Sequence, residues 1–360
     1  MSRFSKGTPM KKITLVTASA LLALVASACS DDASSPATTS GSGGSSVTSG
    51  SDSTATITMV AYDSFPTADT ALNDALAEFT ADTGITVDIV TAGDTGTMVT
   101  KATLTAGNPE GDVMWGVDNT YLSAAVDGGI FEGSPTQVDF GDVCVNYDIA
   151  WFAERSLQPP ATLADLIAPE YKGLLVVENP ATSSPGLAFL LATVAEYGEA
   201  GWQDYWSALR DNGVEVADSW DIAYYERFSG AAGSDGDKPL VVSYGSSPPA
   251  EVVFADPPRD DAPPGVSTDT CFRQLEYAGV LRGTNHPDEA AQLVTFLTST
   301  RFQQELPLTL FVYPVDPATP LPDVFTTFAV IPDEPYTLDP ATIAANREQW
   351  QDQWTELVLR

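Results

Sequence analysis

The alternation of strand-like and helix-like segments beyond residue 55 restricts the fold of this sequence more than any other feature. TITMVAY, which starts at Thr56, alternates as a strand does, and ITVDIV, which starts at Ile85, is a second strand candidate. Between them, ALNDALAEFTADTG places its apolar side chains on one helical face: Leu72, Ala75, Leu76 and Phe79. Gly84 stands where that helix would end. The segment therefore predicts a strand, a helix and a second strand.

The same succession continues along the chain. Short apolar runs predict further strands in VMWGV, VCVNYD, GLLVVEN and PLVVSYG, and helical patterns occur in LAFLLATVAEYG, in PDEAAQLVTFLTSTRFQQEL and in the last 22 residues. Such alternation predicts an α/β fold with mostly parallel sheets and flanking helices. Ligands of parallel sheets lie beyond the carboxyl ends of the strands, so the loops after strands are the places to search for a site.

Residues 1–28 have the parts of a secretory signal peptide. Lys11 and Lys12 form a basic start, an apolar stretch follows, and small residues precede Cys29. The apolar stretch is shorter than the ~20 residues of a membrane-spanning helix. Small residues before a cysteine resemble a bacterial lipobox, which implies a lipid on Cys29. Ordinary cleavage near Ala28 is the alternative.

Residues 29–55 predict a flexible tether. They are mainly Ser, Thr, Gly, Ala and Asp, with almost no large apolar side chain that could form a core. With a lipid at Cys29, the tether would hold a folded body outside the cytoplasmic membrane. We therefore expect an extracytoplasmic location and contact with the membrane only through the lipid.

The chain is strongly acidic, with 49 Asp and Glu against 16 Lys and Arg and a formal net charge of −33. Nucleic-acid binders need a basic footprint, so no nucleic-acid partner is expected. Peripheral binding to anionic lipid is also disfavoured. The acidity itself indicates either solubility outside the cell or attraction of a cationic ligand.

Two cysteines, Cys144 and Cys271, lie in the predicted folded body. In an oxidising compartment a single disulfide is the natural pairing. Two buried thiols, or one catalytic thiolate, are the alternatives. Two cysteines and His286, the chain's one histidine, have no zinc-ligand spacing, so we expect neither a metal nor a cofactor.

The loops that follow predicted strands share aromatic, carboxylate and hydroxyl side chains. The candidate binding residues are Tyr62, Asp63, Asp94, Asp118, Ser183, Ser184, Gly186, Trp220, Tyr244, Phe311 and Tyr313. Aromatic faces with carboxylates suit an organic cation. The start of the helix after Ser183 suits an anion, because free N–H groups and a partial positive charge lie there. For each aromatic residue alone, core packing is the alternative.

Constellations for catalysis are poor. His286 lies in a turn before a helix, and serine-hydrolase chemistry would need a histidine partner. No nucleophile elbow or phosphate-binding loop is found. We therefore expect a binding protein and not an enzyme.

Several short motifs, in order and spread over almost the whole body, resemble the thiamine-binding proteins of ABC importers. They are AYDSF, GVDN, SSPGLAFLL, SWDIAYYERF, LVVSYGSSP, VYPV and REQWQDQW. The resemblance implies two α/β lobes joined by crossing strands, with thiamine or its phosphates in the cleft. It also implies lobe 1 from residues 56–143 and 271–360, the latter with the terminal helix, and lobe 2 from 144–270.

The resemblance further implies which residues line the pocket: Tyr62, Asp94, Ser183, Ser184, Trp220 and Tyr244. Phe311 stands where the family has a Trp, and Pro249 and Ala250 replace another expected aromatic residue. Cys144 and Cys271 fall on the two crossing strands, where a disulfide would join them.

The implied function is capture of thiamine or a thiamine phosphate for a membrane permease and its ATPase. Two alternatives remain open. The same fold could bind a polyamine or an iron complex. A thiaminase-like transferase, which shares the architecture, would use Cys144 or Cys271 as its nucleophile.

Overall fold

The computed structural model describes residues 55–255 and 257–360. The strands in this part of the chain are β1 Thr56–Ala61, β2 Thr86–Thr91, β3 Val113–Asp118, β4 Thr136–Asp148, β5 Leu175–Glu178, β6 Glu215–Ala217, β7 Leu240–Tyr244, β8 Pro264–Val280 and β9 Tyr313–Pro314. The predicted signal peptide, Cys29 and nearly all of the predicted tether lie outside the described residues.

The α-helices flank these strands. They are α1 Ala71–Thr83, α2 Thr95–Leu104, α3 Leu122–Asp127, α4 Ile149–Arg155, α5 Ser184–Asp211, α6 Pro248–Val253, α7 Pro287–Leu297, α8 Thr300–Gln303, α9 Leu306–Thr309, α10 Asp323–Phe328 and α11 Pro340–Val358. Short 3₁₀ helices cover Asp165–Ile167 and Pro169–Tyr171, and a π-helical turn covers Ile222–Arg227. Helix α5 breaks at Gly198, where φ is 66° and ψ is 177°. No helix in the described ranges is long and apolar enough to span a membrane.

The strands form one mixed sheet in the order β2-β1-β3-β8-β4-β7-β5-β6, and β9 pairs with β4. Strand β1 is parallel to β2 and β3, and β5 is parallel to β6 and β7. The two long central strands, β4 and β8, are antiparallel to each other and to their other neighbours. The predicted α/β class is confirmed, with the parallel pairs at the two ends of the sheet and an antiparallel centre.

Helix α1 shows how sequence pattern becomes packing. The predicted apolar face is buried, with each of its four side chains at most 5% exposed: Leu72, Ala75, Leu76 and Phe79. The helix ends at Gly84, whose φ of 76° is left-handed and favours glycine. Burial of this face against the sheet stabilises the helix far more than its intrinsic propensity does.

A disulfide joins Cys144 on β4 to Cys271 on β8. The ladder is irregular here, because β8 has four residues, 268–271, where β4 has Cys144 alone. The Thr270 hydroxyl accepts a hydrogen bond from Val145 N–H at 2.8 Å in place of a ladder carbonyl. The disulfide pairing predicted for the crossing strands is thus present.

The terminal helix α11 packs mainly against α5. Trp354 meets Trp206 edge to face with ring centroids 5.4 Å apart, and the Trp350 indole donates to Glu199 at 2.8 Å. From the same helix, Arg347 lies over the ring of Tyr121, with its guanidinium carbon 5.3 Å from the ring centroid. The terminal helix is confirmed, whereas the lobe boundaries remain a prediction.

Candidate functional site

A cleft of about 330 Å³ lies where the ends of several strands meet the crossing strands. Six of the eleven predicted binding residues line it: Tyr62, Asp94, Ser184, Trp220, Tyr244 and Phe311. Four of the lining residues carry a carboxyl group, and three of them are additional to that set: Asp94, Asp139, Asp221 and Glu276. None of the described residues that line the cleft is Lys, Arg or His. The cleft is therefore acidic and aromatic, which suits a cation.

Asp94 follows β2 and caps the start of α2. Its Oδ1 accepts from Thr95 N–H at 2.8 Å, and its Oδ2 accepts from Trp220 N–H at 3.3 Å. Burial raises the pKa of Asp94 to about 6, although these N–H groups and Ser183 hold it down. The carboxylate thus binds two distant segments together while it faces the cleft.

Trp220 is the centre of an aromatic cluster. It stacks on Tyr224 with ring centroids 5.0 Å apart and an interplanar angle of 17°, and it meets Tyr225 and Tyr244 edge to face. Its indole N–H donates to Ser243 at 2.9 Å, which fixes the ring. The half-buried Trp220 ring therefore provides a fixed surface for a planar ligand.

Tyr62 depends on Gly116 for its position. A Cβ on Gly116 would lie 2.4 Å from the Tyr62 ring, and Gly116 has a φ of 100°, so a larger residue is excluded twice. The same glycine interrupts the register between β3 and β8. The predicted GVDN motif thus shapes the wall of the cleft.

Ser184, in the first turn of α5, is already bonded within the protein. Its hydroxyl donates to Asp118 Oδ2 and lies in hydrogen-bond contact with Gln274 Nε2. Asp118 is fully buried behind it, and its Oδ1 accepts from Thr120 N–H at 2.6 Å. Burial raises the pKa of Asp118. Asp118 thus supports the helix start from behind the cleft.

Four other predicted residues do not line the cleft either. Asp63 is exposed and accepts from Gly93 N–H at 2.9 Å. Ser183 is buried at the N-cap of α5, and a Cβ on Gly186 would lie 2.5 Å from the Glu178 carbonyl oxygen. Tyr313 is buried against Phe140, with ring centroids 5.1 Å apart. These residues support the turns and strands around the cleft.

Phe311 lines the cleft with a backbone φ of 55°, which is unusual for a residue other than glycine. Its ring meets Phe254 edge to face at 5.6 Å between centroids. Phe254 is 63% exposed and also lines the cleft. It supplies an aromatic ring close to Pro249 and Ala250, which replace an expected aromatic residue. Its position at the end of α6 did not predict that it would line the cleft.

Asp139 and Glu276 were missed because they lie within strands and not after them. Asp139 and Gly141 line the cleft from β4, and Gln274 and Glu276 line it from β8. Each pair is two residues apart, as strand periodicity requires for one face. Polar residues at alternate positions of a buried strand were the available signal.

The described residues contain no group of three or more His, Cys, Asp or Glu that could hold a metal ion. The buried carboxyls of the cleft face aromatic rings and hydroxyls instead.

Comparison with known proteins places this geometry in context. Residues 129–233 match the family model described as bacterial extracellular solute-binding protein. The chain is 27% identical over 318 residues to the thiamine-binding periplasmic protein of Escherichia coli, covering 84% of this chain and 94% of that protein.

Solved structures have the same architecture. A periplasmic thiamin binding protein superposes with a TM-score of 0.73 at 25% identity, covering 85% of this chain and 96% of that one. Iron-bound HitA from Pseudomonas aeruginosa shares the fold alone, with a TM-score of 0.63 at 18% identity, over 83% of this chain and 99% of that one. Together, the two-lobe fold and the cleft at its crossing strands are those of type II substrate-binding proteins, which this chain resembles in sequence and structure.

Proposed function

We propose that this chain is an extracytoplasmic, lipid-anchored receptor that captures thiamine and delivers it to an ABC permease and its ATPase. The observation that carries the proposal is the acidic, aromatic cleft, whose described lining residues include four carboxylates and no basic side chain. Similarity to proteins named for thiamine binding supports the same ligand.

In this proposal the cationic ring of thiamine packs on Trp220, Tyr244 and Tyr62. A cation over an aromatic face gains about 0.5–2 kcal/mol, and more as water is excluded. Asp94 supplies the counter-charge. Because Asp94 also bonds to the backbone of Trp220, a ligand that engages both groups favours the closed cleft.

Thiamine itself is the proposed cargo in preference to its phosphates. The Ser184 hydroxyl is committed to Asp118 and Gln274, and the surrounding carboxylates repel a phosphate. The start of α5, with Ser184 in its first turn, would instead face the neutral hydroxyethyl tail. The predicted use of this helix start for a phosphate is therefore the weaker alternative.

A thermal-shift panel tests the choice of cargo. Thiamine should raise the melting temperature of the purified chain, and thiamine diphosphate, spermidine and ferric citrate should raise it less. A larger shift with ferric citrate would support the iron alternative and contradict the proposal. A larger shift with spermidine would support the polyamine alternative in the same way.

Fluorescence tests whether thiamine reaches the aromatic cluster. Thiamine should quench the emission of the chain through Trp220, and Trp220→Phe should abolish most of the quench while a ring remains for packing. Trp350→Phe is a matched control, because Trp350 is buried at α11 and does not line the cleft. Equal quenching in Trp220→Phe and the unaltered chain would contradict this placement.

The transferase alternative requires a free thiolate. Cys144 and Cys271 are bonded to each other, so neither is a nucleophile in this state. Labelling of intact protein with a thiol reagent, without reductant, should give no adduct at either residue. An adduct on native protein together with cleavage of thiamine would favour the transferase.

A further inference from the structure

Two carboxyl groups of the cleft have no role in the proposed function, in which Asp94 alone supplies the counter-charge to thiamine. Asp139 on β4 and Glu276 on β8 are register partners in the antiparallel ladder. Register partners point to the same face of a sheet, and both residues line the cleft. The two carboxyl groups thus meet on the floor of the cleft.

Glu276 is held in place by two donors. The Trp115 indole N–H donates to Glu276 Oε2 at 3.0 Å, and the Tyr62 hydroxyl donates to the same oxygen at 3.5 Å. Trp115 is itself fully buried. The position of Glu276 is therefore set by the protein before any ligand arrives.

Asp139 has one oxygen to spare. The residue is 2% exposed, and no N–H or hydroxyl group of the described residues donates to its Oδ2. Its side-chain partner is the Glu276 carboxyl. Two carboxyls hydrogen-bond only when one of them carries a proton. A buried acceptor without a donor is costly, so the Asp139 carboxyl, which lines the cleft, is suited to accept from a donor on the ligand.

The groups that face the pair explain where its proton lies. Asp118 on β3 stands opposite Glu276 in register, and the hydroxyls of Tyr62 and Tyr244 lie nearby. Burial raises the pKa of Asp139 to about 7, and burial with the charges of Asp139 and Asp118 raises the pKa of Glu276 well above its ordinary value.

The basic residue of β8, Arg273, does not neutralise the pair. It forms its ion pair with Asp142 instead. This ion pair lies three residues along β4 from Asp139 and three residues along β8 from Glu276. Burial and the mutual repulsion of the two carboxylates therefore favour a single proton shared by the pair near neutral pH.

We propose that Asp139 and Glu276 form a second recognition subsite, in which Glu276 orients Asp139 and the Asp139 carboxyl accepts a hydrogen bond from an amino group of the ligand. The inference rests on the proposed function and deepens it. The class of ligand is an organic cation that carries an amino group apart from its cationic centre. The aminopyrimidine of thiamine meets this requirement.

Isosteric variants test the two roles by calorimetry at pH 7.5. Asp139→Asn should lower thiamine affinity at least about tenfold, because the charge-assisted hydrogen bond to the amino group is lost. Glu276→Gln keeps a hydrogen-bond donor next to Asp139, so its thiamine affinity should stay within about threefold of that of the unaltered chain. Glu276→Ala removes the donor and should lose about as much thiamine affinity as Asp139→Asn. Glu78→Gln makes the same charge change on the exposed surface and should have no effect.

A second probe separates the subsite from general loss of binding. An N-benzyl thiazolium keeps the cationic ring and lacks the amino group, so it should bind Asp139→Asn and the unaltered chain equally. In the unaltered chain, thiamine affinity should rise between pH 6.5 and pH 8 as Asp139 ionises, and Asp139→Asn should be flat over that interval.

Three results would overturn the inference. Asp139→Asn could bind thiamine as the unaltered chain does, Glu276→Gln could lose as much affinity as Asp139→Asn, or the benzyl analogue could show the same loss as thiamine. Absence of thiamine binding by the unaltered chain is a separate result, which overturns the proposed function and this inference together.

Discussion

Asp94 supports the fold and faces the ligand at the same time. Its carboxylate caps α2, accepts from the Trp220 backbone and lines the cleft. An asparagine keeps the capping oxygen and removes the charge. A variant at this position therefore separates the two roles.

Asp94→Asn should lower thiamine affinity at least about tenfold, since a buried charge opposite a cation is lost. The melting temperature should fall modestly, because asparagine keeps the N-cap bond to Thr95 but its amide nitrogen cannot accept from Trp220 N–H. Asp63→Asn is the matched control: Asp63 is exposed and does not line the cleft. Titration calorimetry measures both variants, and equal losses in the two would show that Asp94 has no direct contact with the ligand.

The pKa of Asp94 gives a pH dependence of defined sign. Burial raises this pKa to about 6 in the free protein, and a cation binds the ionised carboxylate. Protons therefore compete with thiamine as the pH falls through 6. The protonation of Asp94 should by itself make thiamine affinity at pH 5 roughly tenfold lower than its value well above pH 6.

The pH profile of Asp94→Asn provides the comparison. The fall in affinity between pH 6.5 and pH 5 should be absent in this variant, while the rise that belongs to Asp139 at higher pH should remain. A profile of the same shape as that of the unaltered chain would contradict the assignment of this step to Asp94.

At the scale of residues, the sequence predicted the side chains that follow strands. Tyr62 and Asp94 came from this rule, and both line the cleft. Asp139 and Glu276 were not predicted, because their place depends on how the two crossing strands pair. Phe254 was not predicted either, since an exposed aromatic residue at a helix end is ordinary until its partner Phe311 is known.

At the scale of elements, β4 and β8 carry both the disulfide and the floor of the cleft. Local patterns predicted parallel pairing of strands, which is present at the two ends of the sheet, and the buried face of α1. The antiparallel centre was beyond such patterns, because it depends on pairing between segments 127 residues apart at the cysteines. The family resemblance, and not periodicity, indicated that these strands cross.

Removal of the disulfide should destabilise the chain. Cys144→Ser with Cys271→Ser should lower the free energy of unfolding by about 2–5 kcal/mol, because a long loop is no longer closed in the unfolded state. Thiamine affinity should change less than threefold, since neither cysteine lines the cleft. Urea unfolding followed by far-ultraviolet circular dichroism measures the difference, and an unchanged midpoint would contradict a stabilising role.

At the scale of the whole molecule, the proposed lipid at Cys29 would place the receptor near the proposed permease. A tether of the predicted length, 29–55, would keep the cleft at high local concentration beside the membrane. The folded part and the anchor would then act together, although they share no contact with the ligand.

Cys29→Ser should abolish the incorporation of labelled palmitate in cells that express the full chain. It should also move the protein from the membrane fraction to the soluble extracytoplasmic fraction, because no acyl chain remains to anchor it. Cys144→Ser with Cys271→Ser is the control and should still be labelled. Labelling that persists in Cys29→Ser would contradict lipidation at this residue.

The central claim is that the acidic, aromatic cleft binds thiamine. Calorimetric titration of the purified folded part with thiamine, at pH 7.5, tests it most directly. We predict saturable binding of one thiamine per chain, weaker binding of thiamine diphosphate, and a loss of at least about tenfold in Asp94→Asn. Absence of binding heat with thiamine and with both of its phosphates, together with no change in melting temperature, would contradict the account.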